Sequence, residues 1–564
     1  MSGNNINLKS GHLSMPLNGA LVRPQCAPIT IIKRLTVKTI ICCLLAGLLT
    51  PMRLIAGEGS LLGEWAGGFE DGDDYVFMQL HFRSKDGMIS GTYDAPLLFQ
   101  QGRSLGQLSL NAATVTFEIP NQPETRRFTG EIKDGVLAGR MKEGATERPF
   151  RFTRLAAIKI EKYVGTYEIE PDHFDFIRSG PELGLDALQC IDFKTGRFSV
   201  LFPTSATEFF TGAAVLVPYP VEATVKFKLD GQGQPTAFAW SGAEKFRGTR
   251  VERRQEEVRL TNGNVTLSGT LIFPATPPPH PVIVYAAGGS SYGTREMFRV
   301  FVEFFALHGV AGLIYDKRGL GSSTGDWLRA GFDELTDDAL AGVRLLKARS
   351  DIDAHHIGLM GASQSGWIVA LAASRSQDVA FIISQSGSGV GVEEQELYRS
   401  EAWLRADGFS EGDIREAMKF IRQRYQCAVT GEGWDALAEV ERDASKKSWF
   451  AYTGGHAGKE NPFWDFWRLI RTFDPVPVLE KVHCPVLAIL GAKDTFVPAD
   501  KSARIWQEAL AKAGNKDVTI KVYPDGDHSL IRCKTGGLKE TARASGFVPG
   551  YFDTLREWTQ KQTQ

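Results

Sequence analysis

The sequence predicts an α/β chain, with a parallel sheet covered by helices over residues 258–564 and two β-rich modules before it, at 58–155 and 156–254. Three observations predict it. Short apolar runs alternate with amphipathic helical patterns beyond residue 280, period-two segments fill the stretch before, and one strand-turn-helix signature carries a serine at its apex. Apolar strands alternating with helices indicate a parallel sheet buried on both faces.

In the first module, alternating bursts at 75–82, 88–93 and 113–119 are punctuated by Asp86-Gly87 and Asp134-Gly135. Such spacing reads as antiparallel β, a barrel or a sandwich. The second module opens like the first: Leu62-Gly63-Glu64-Trp65 is echoed by Val164-Gly165-Thr166-Tyr167, and Arg127-Phe128-Thr129-Gly130 by Lys245-Phe246-Arg247-Gly248. This is a weak internal repeat. Trp65, Phe82, Tyr167, Phe198 and Phe202 read as core, because aromatics dominate cores. The modules' functional alternative is to shape the entrance to the domain at 258–564.

A charged linker near 250–257 leads to a hairpin, for which Asn262-Gly263 predicts a type I′ turn. Buried-strand candidates then follow at 282–286, 310–315, 357–360, 379–383, 485–490 and 518–522, with helical patterns at 295–308, 332–347, 364–375 and 501–512. An insertion at about 390–475 reads as helical and is rich in aromatics, among them Trp403, Tyr425, Trp434, Trp449, Phe463, Trp464 and Trp467. It predicts a cap over the sheet.

Ahead of these modules, residues 1–56 read as a signal peptide: Lys33, Arg34 and Lys38 precede the apolar run 40–49, with Ala56 at the cut. A retained signal anchor is the alternative. The segment carries six basic and no acidic side chains, so its removal takes the formal charge from −2 to −8. An exported chain of that charge, without a basic run, points away from nucleic acid and anionic membranes as partners. Beyond the segment lie Cys190, Cys427, Cys484 and Cys533, without Cys-x-x-Cys spacing, and no cluster has metal-ligand spacing; neither a metal nor a cofactor is expected.

Chemistry concentrates at 357–367, Ile-Gly-Leu-Met-Gly-Ala-Ser-Gln-Ser-Gly-Trp. A sharp turn between strand and helix strains its central residue and needs small neighbours two places either side. Ser363 has Gly361 and Ser365; Ser365 would have Ser363 and the bulky Trp367, which excludes it as the apex. An activated serine also needs a base, an orienting carboxylate and oxyanion donors past other strand ends. Asp494 follows the strand at 485–490, and His528 follows that at 518–522. Competing groups fit less well. Asp500 reads as an N-cap, Asp525 and Asp527 as turn formers, Asp474 lies at the wrong end of the sheet, and His308, His355, His356 and His483 precede strands or end helices. Of the two oxyanion donors, one falls to the N–H of Gln364, the other to Gly289, with Ser290 as alternative. Asp316, Lys317 and Arg318, at another strand end, read as scaffolding.

With Tyr315-Asp-Lys-Arg-Gly-Leu-Gly-Ser-Ser323, Asp351-Ile-Asp353, the serine stretch, Cys484-Pro-Val-Leu487, Asp494 and Val497-Pro498, the chain resembles secreted α/β-hydrolase esterases with β-rich N-terminal regions, of the serine aminopeptidase-like and dienelactone-hydrolase-like branches. The resemblance implies an α/β-hydrolase domain with a helical cap, nucleophile Ser363, acid Asp494 and base His528, acting on a small ester or acyl substrate. Two positions depart from it. Ala287-Gly288 stands where the family has His-Gly, and Ser365 where it has glycine. Carboxylic ester hydrolysis is the expectation; peptide cleavage, thioester chemistry or a non-catalytic binding role on the same scaffold are the alternatives.

Overall fold

The computed structural model describes residues 61–120, 124–180, 187–288 and 293–564. The signal-peptide segment 1–56 and the oxyanion candidates Gly289 and Ser290 lie outside the described residues. Three sheets follow one another along the chain: a nine-stranded antiparallel sheet, a closed eight-stranded barrel, and an eight-stranded mixed sheet.

The internal repeat has a physical basis. Gly63 and Gly165 each open the first strand of their module with positive φ, +124° and +155°. A Cβ on either would stand 3.4 Å from the guanidinium of an arginine on the last strand, Arg154 in one module and Arg250 in the other. Two residues on, Trp65 donates its indole N–H to the Leu61 carbonyl at 2.8 Å, and Tyr167 its hydroxyl to the Tyr163 carbonyl at 3.0 Å. Only the second copy closes into a barrel. Trp65, Phe82, Tyr167 and Phe202 are fully buried, whereas Phe198 is half-buried and faces a cavity between the barrel and the hydrolase domain.

In the mixed sheet the strands are β1 (Gln255–Asn262), β2 (Val265–Ile272), β3 (His280–Tyr285), β4 (Ala311–Tyr315), β5 (Ile352–Ala362), β6 (Phe381–Gln385), β7 (Val486–Gly491) and β8 (Val518–Tyr523). Their spatial order is β1-β2-β4-β3-β5-β6-β7-β8. From β4 to β8 all neighbours are parallel, and β1 and β2 are antiparallel. Such a sheet must be covered on both faces, and its central strands β3, β4, β6 and β7 are accordingly buried nearly throughout. Helices α1 (Arg295–Leu307), α2 (Phe332–Lys347) and α3 (Ser365–Arg375) follow β3, β4 and β5. Between β6 and β7 run α4 (Val392–Ala406), α5 (Glu411–Thr430), α6 (Trp434–Ala444), α7 (Phe463–Ile470) and the short α8 (Val476–Leu479). Helices α9 (Ala499–Lys512) and α10 (Tyr551–Gln562) complete the domain. The fold is that of an α/β-hydrolase with β-rich sheets ahead of it.

Several local expectations are corrected. Asn262 pairs with Val265, so the two-residue loop is Gly263-Asn264, and of the two only Gly263 has positive φ. Glycine in first place suits a turn of the II′ kind, not type I′. Pro498 is the N-cap of α9, and Asp500 sits inside the first turn, where its charge suits the helix dipole. Among Cys190, Cys427, Cys484 and Cys533 the sequence leaves one bridge open, and all four are free thiols.

The three bodies share cores. Phe176, Ile191 and Phe193 on the barrel's outer face pack among Phe301, Phe304 and Phe305 of α1 and Phe552 of α10. Tyr75 and Phe77 of the first sheet meet Phe202 and Phe210 of the barrel. At about 25 cal/mol per Å² of apolar burial, interfaces built from so many aromatic rings resist separation.

Candidate functional site

Strand β5 ends at Ala362, and Ser363 follows with φ +55°, a left-handed conformation costly for any side-chain-bearing residue. Two hydrogen bonds hold it: the Ser363 N–H donates to the Gln385 carbonyl on β6 at 2.8 Å, and the Gly366 N–H to the Ser363 carbonyl at 2.9 Å. The need for small flanks is literal. A Cβ on Gly361 would stand 2.5 Å from the Ser365 carbonyl oxygen and 2.6 Å from its Cβ.

Ser365, the departure at the elbow, is accommodated by its neighbour Gly288. Ser365 is buried, and a Cβ on Gly288 would lie 2.1 Å from its Oγ and 2.8 Å from its backbone nitrogen. The hydroxyl of Ser365 therefore occupies room left by Gly288. Gly288→Ala is expected to destabilise the fold by about 1–3 kcal/mol through overpacking and to displace the elbow. Esterase assays and thermal melts of Gly288→Ala against Gly288→Ala/Ser365→Gly check it: the second substitution removes the nearest clash and should recover part of both losses.

Asp494 follows β7 and is buried. Its Oδ1 accepts the N–H groups of Phe496 (2.7 Å) and Val497 (2.9 Å), which aim Oδ2 at His528 Nδ1, 2.8 Å away. The imidazole is stacked on the Phe496 ring, centroids 4.7 Å apart. The hydroxyl of Ser386 donates to the His528 carbonyl at 2.8 Å. Burial opposes protonation of His528, but the Asp494 charge and hydrogen bond, with Asp527 nearby, outweigh it and raise its pKa. With Nδ1 held by Asp494, Nε2 is the basic nitrogen.

Ser363 and His528 border one cavity of about 370 Å³, together with Gly288, Gln385, Phe496 and Trp403 of α4. Gln364 occupies the N-cap position of α3, where the first-turn N–H groups have no intrahelical acceptor. Of the cap aromatics singled out from the sequence, Trp403 reaches this cavity; Trp449, Trp464 and Trp467 are buried in the cap and its base.

Other candidates take structural places. Arg318 grips Asp338 through Nε and Nη2, both at 2.7 Å. Asp316 accepts the N–H groups of Arg295 and Ser322. Lys317 lies 4.5 Å from the Trp327 ring centre, and burial lowers its pKa to about 7. Asp527 Oδ1 accepts the N–H groups of Ser529 and Ile531, both at 2.8 Å, and burial lifts its carboxyl to about 6. His308 bonds the Phe304 carbonyl and His356 bonds Asp353.

Sequence spacing missed one cluster. His173, Asp175 and Asp192, from adjacent barrel strands, bring ligand-type atoms within 4.8 Å of one another. The Arg197 guanidinium stands 3.4 Å from Asp175 and 3.7 Å from Asp192, so the cluster already holds its counter-ion. Cross-strand pairing, which no linear spacing displays, creates it.

The family model for X-Pro dipeptidyl-peptidase (S15 family) matches residues 262–528. That span includes Ser363, Asp494 and His528. An uncharacterized 31.7 kDa protein in the traX-finO intergenic region of Escherichia coli is 27% identical over 258 residues, 44% of this chain and 82% of its own. Esterase EstD of Thermotoga maritima is 22% identical over 287 residues, covering 50% of this chain and 61% of that protein. Among solved structures, the Pyrococcus furiosus esterase Pf2001 shares 17% identity at a TM-score of 0.37, over 55% of this chain and 92% of that one.

Proposed function

We propose that this chain, a serine hydrolase of the α/β-hydrolase family with a β-rich N-terminal region, cleaves carboxylic esters through an acyl-enzyme. The observation that carries the proposal is the joint placement of a left-handed Ser363 and an Asp494-held His528 on one cavity.

In the proposed mechanism, His528 Nε2 takes the Ser363 proton as Oγ attacks the ester carbon. Asp494 holds the imidazolium that forms. The Gln364 N–H and a donor from the loop after β3, Gly289 in this reading, stabilise the oxyanion. His528 then gives its proton to the leaving alcohol. Water, activated by the same imidazole, releases the acid and frees Ser363.

The matching family description favours a second reading, cleavage of a dipeptide from a peptide N-terminus. Such a substrate brings an ammonium group that needs a carboxylate. Among the described residues, the carboxylates bordering the cavity are Asp527, whose Oδ1 accepts the N–H groups of Ser529 and Ile531, and Glu540, which accepts those of Lys534, Thr535 and Gly536. Parallel kcat/KM values on p-nitrophenyl butanoate, an aminoacyl-prolyl p-nitroanilide and a butanoyl thioester separate the alternatives. The ester is expected to lead by about tenfold or more, and a lead by the anilide would replace the proposal with the peptidase reading.

Export belongs to the same proposal, supported by the basic and apolar pattern of residues 33–49. Sequencing the N-terminus of the protein recovered outside the cytoplasm is expected to begin just after Ala56.

A further inference from the structure

The β-barrel supplies part of the wall that faces Ser363. Arg178 and Gln189 are register partners on the neighbouring strands His173–Ser179 and Leu188–Asp192. Both border the cavity shared by Ser363 and His528. Side chains alternate along a strand: Ile177 and Cys190 enter the barrel core, and Arg178 and Gln189 turn outward to the hydrolase domain.

Each is a costly group to bury. Arg178 is 8% exposed and donates to the Met297 carbonyl in the first turn of α1 at 2.8 Å. Burial lowers its pKa to about 10, which leaves it cationic at neutral pH. Gln189 is 2% exposed, and its side-chain amide nitrogen has no hydrogen-bond acceptor among the described residues. Native folds seldom leave such a donor unmet, and a ligand oxygen would satisfy it. The surrounding wall is apolar, with Ile191, Phe198, Val215 and Phe298. A cation beside an unmatched amide donor, against this apolar patch of the wall, is complementary to a carboxylate at the end of a hydrocarbon chain.

We infer that Arg178 and Gln189 bind a carboxylate that the substrate carries in addition to its scissile ester, so that short esters bearing a free carboxylate, on the acyl or the alcohol side, are preferred over neutral esters. The inference rests on the ester-hydrolase reading. It also gives the barrel a role, as the source of specificity for chemistry carried out by a different domain.

The test compares mono-p-nitrophenyl glutarate with p-nitrophenyl pentanoate on the full chain, and the butanoyl ester of 3-hydroxypropanoate with propyl butanoate. The first pair carries the charge on the acyl side and the second on the alcohol side. For at least one pair, kcat/KM should favour the charged ester by about ten- to hundredfold, chiefly through KM. Arg178→Met should bring that ratio to about one, Arg178→Lys should retain part of it, and Gln189→Leu should lower it severalfold. Equal rates on both pairs in the wild type, or a ratio untouched by Arg178→Met, would overturn the inference while leaving the esterase reading standing. Should Arg178→Met not fold, Gln189→Leu and one measurement on the wild type decide: pentanoate should slow fluorophosphonate labelling of Ser363 far more than neutral pentanamide, Gln189→Leu should shrink that difference, and equal protection by the two overturns the inference. If the wild type hydrolyses no ester, the parent reading fails, and the labelling comparison still judges carboxylate binding by itself.

Discussion

Ser363→Ala is expected to lower kcat on p-nitrophenyl esters by about 10⁴-fold or more while the protein remains folded. The size follows from the role: without Oγ there is no acyl-enzyme, and what survives is the contribution of oxyanion donors and binding, about 10³–10⁴ over water in a comparable triad. The change is also structurally mild. Ser363 is only half-buried, its two defining hydrogen bonds are made by the backbone, and alanine adds no bulk to the elbow. Stopped assays with unchanged thermal melts check this result. By contrast, Ser365→Ala removes a hydroxyl that faces Gly288 and should retain most of the turnover.

The second large effect is expected from Asp494→Asn. The amide keeps the size of the carboxylate but not its charge, and presents an N–H₂ group that favours the wrong imidazole tautomer; a comparable substitution costs about 10⁴ in kcat. The pH profile should move as well. In the wild type His528 must be neutral to act as base, and Asp494 raises its pKa, so kcat/KM should rise with pH through an acid limb above the ordinary imidazole value of about 6.5. Asp494→Asn should carry that limb to lower pH even as activity falls. Stability follows the same linkage. Because the folded pKa of His528 is raised, the stabilisation from its protonated form is complete below the unfolded value and disappears as pH climbs through the folded one. Fits of kcat/KM from pH 5 to 9 for both proteins check the direction of the shift.

Much of this architecture was legible in the chain because each feature had a local cause. The elbow needs small residues around Ser363, and they stand at Gly361 and Ser365. The strand-and-helix alternation locates the ends of β7 and β8, and with them Asp494 and His528, which the structure joins at 2.8 Å. The meaning of Ser365 was not legible, since its accommodation depends on Gly288, brought alongside only when β3 and β5 pair. Nor was the barrel's share of the cavity. Arg178, Gln189 and Phe198 carry no motif and lie more than 160 residues before Ser363; only the packing of the barrel against α1 sets them beside it. The hairpin loop shifted by one residue for a similar reason. Asn262-Gly263 is a strong local signal, but the pairing register of β1 with β2 places Gly263 first in the turn.

The proposed chemistry stands on Ser363 being the nucleophile of a working serine hydrolase. Fluorophosphonate treatment of the full chain, followed by intact mass and peptide mapping, decides whether it is. One adduct per chain, located on Ser363, absent from Ser363→Ala and slowed in Asp494→Asn, is the expected result. An adduct on Ser365, or a folded protein that takes up no label, would contradict it.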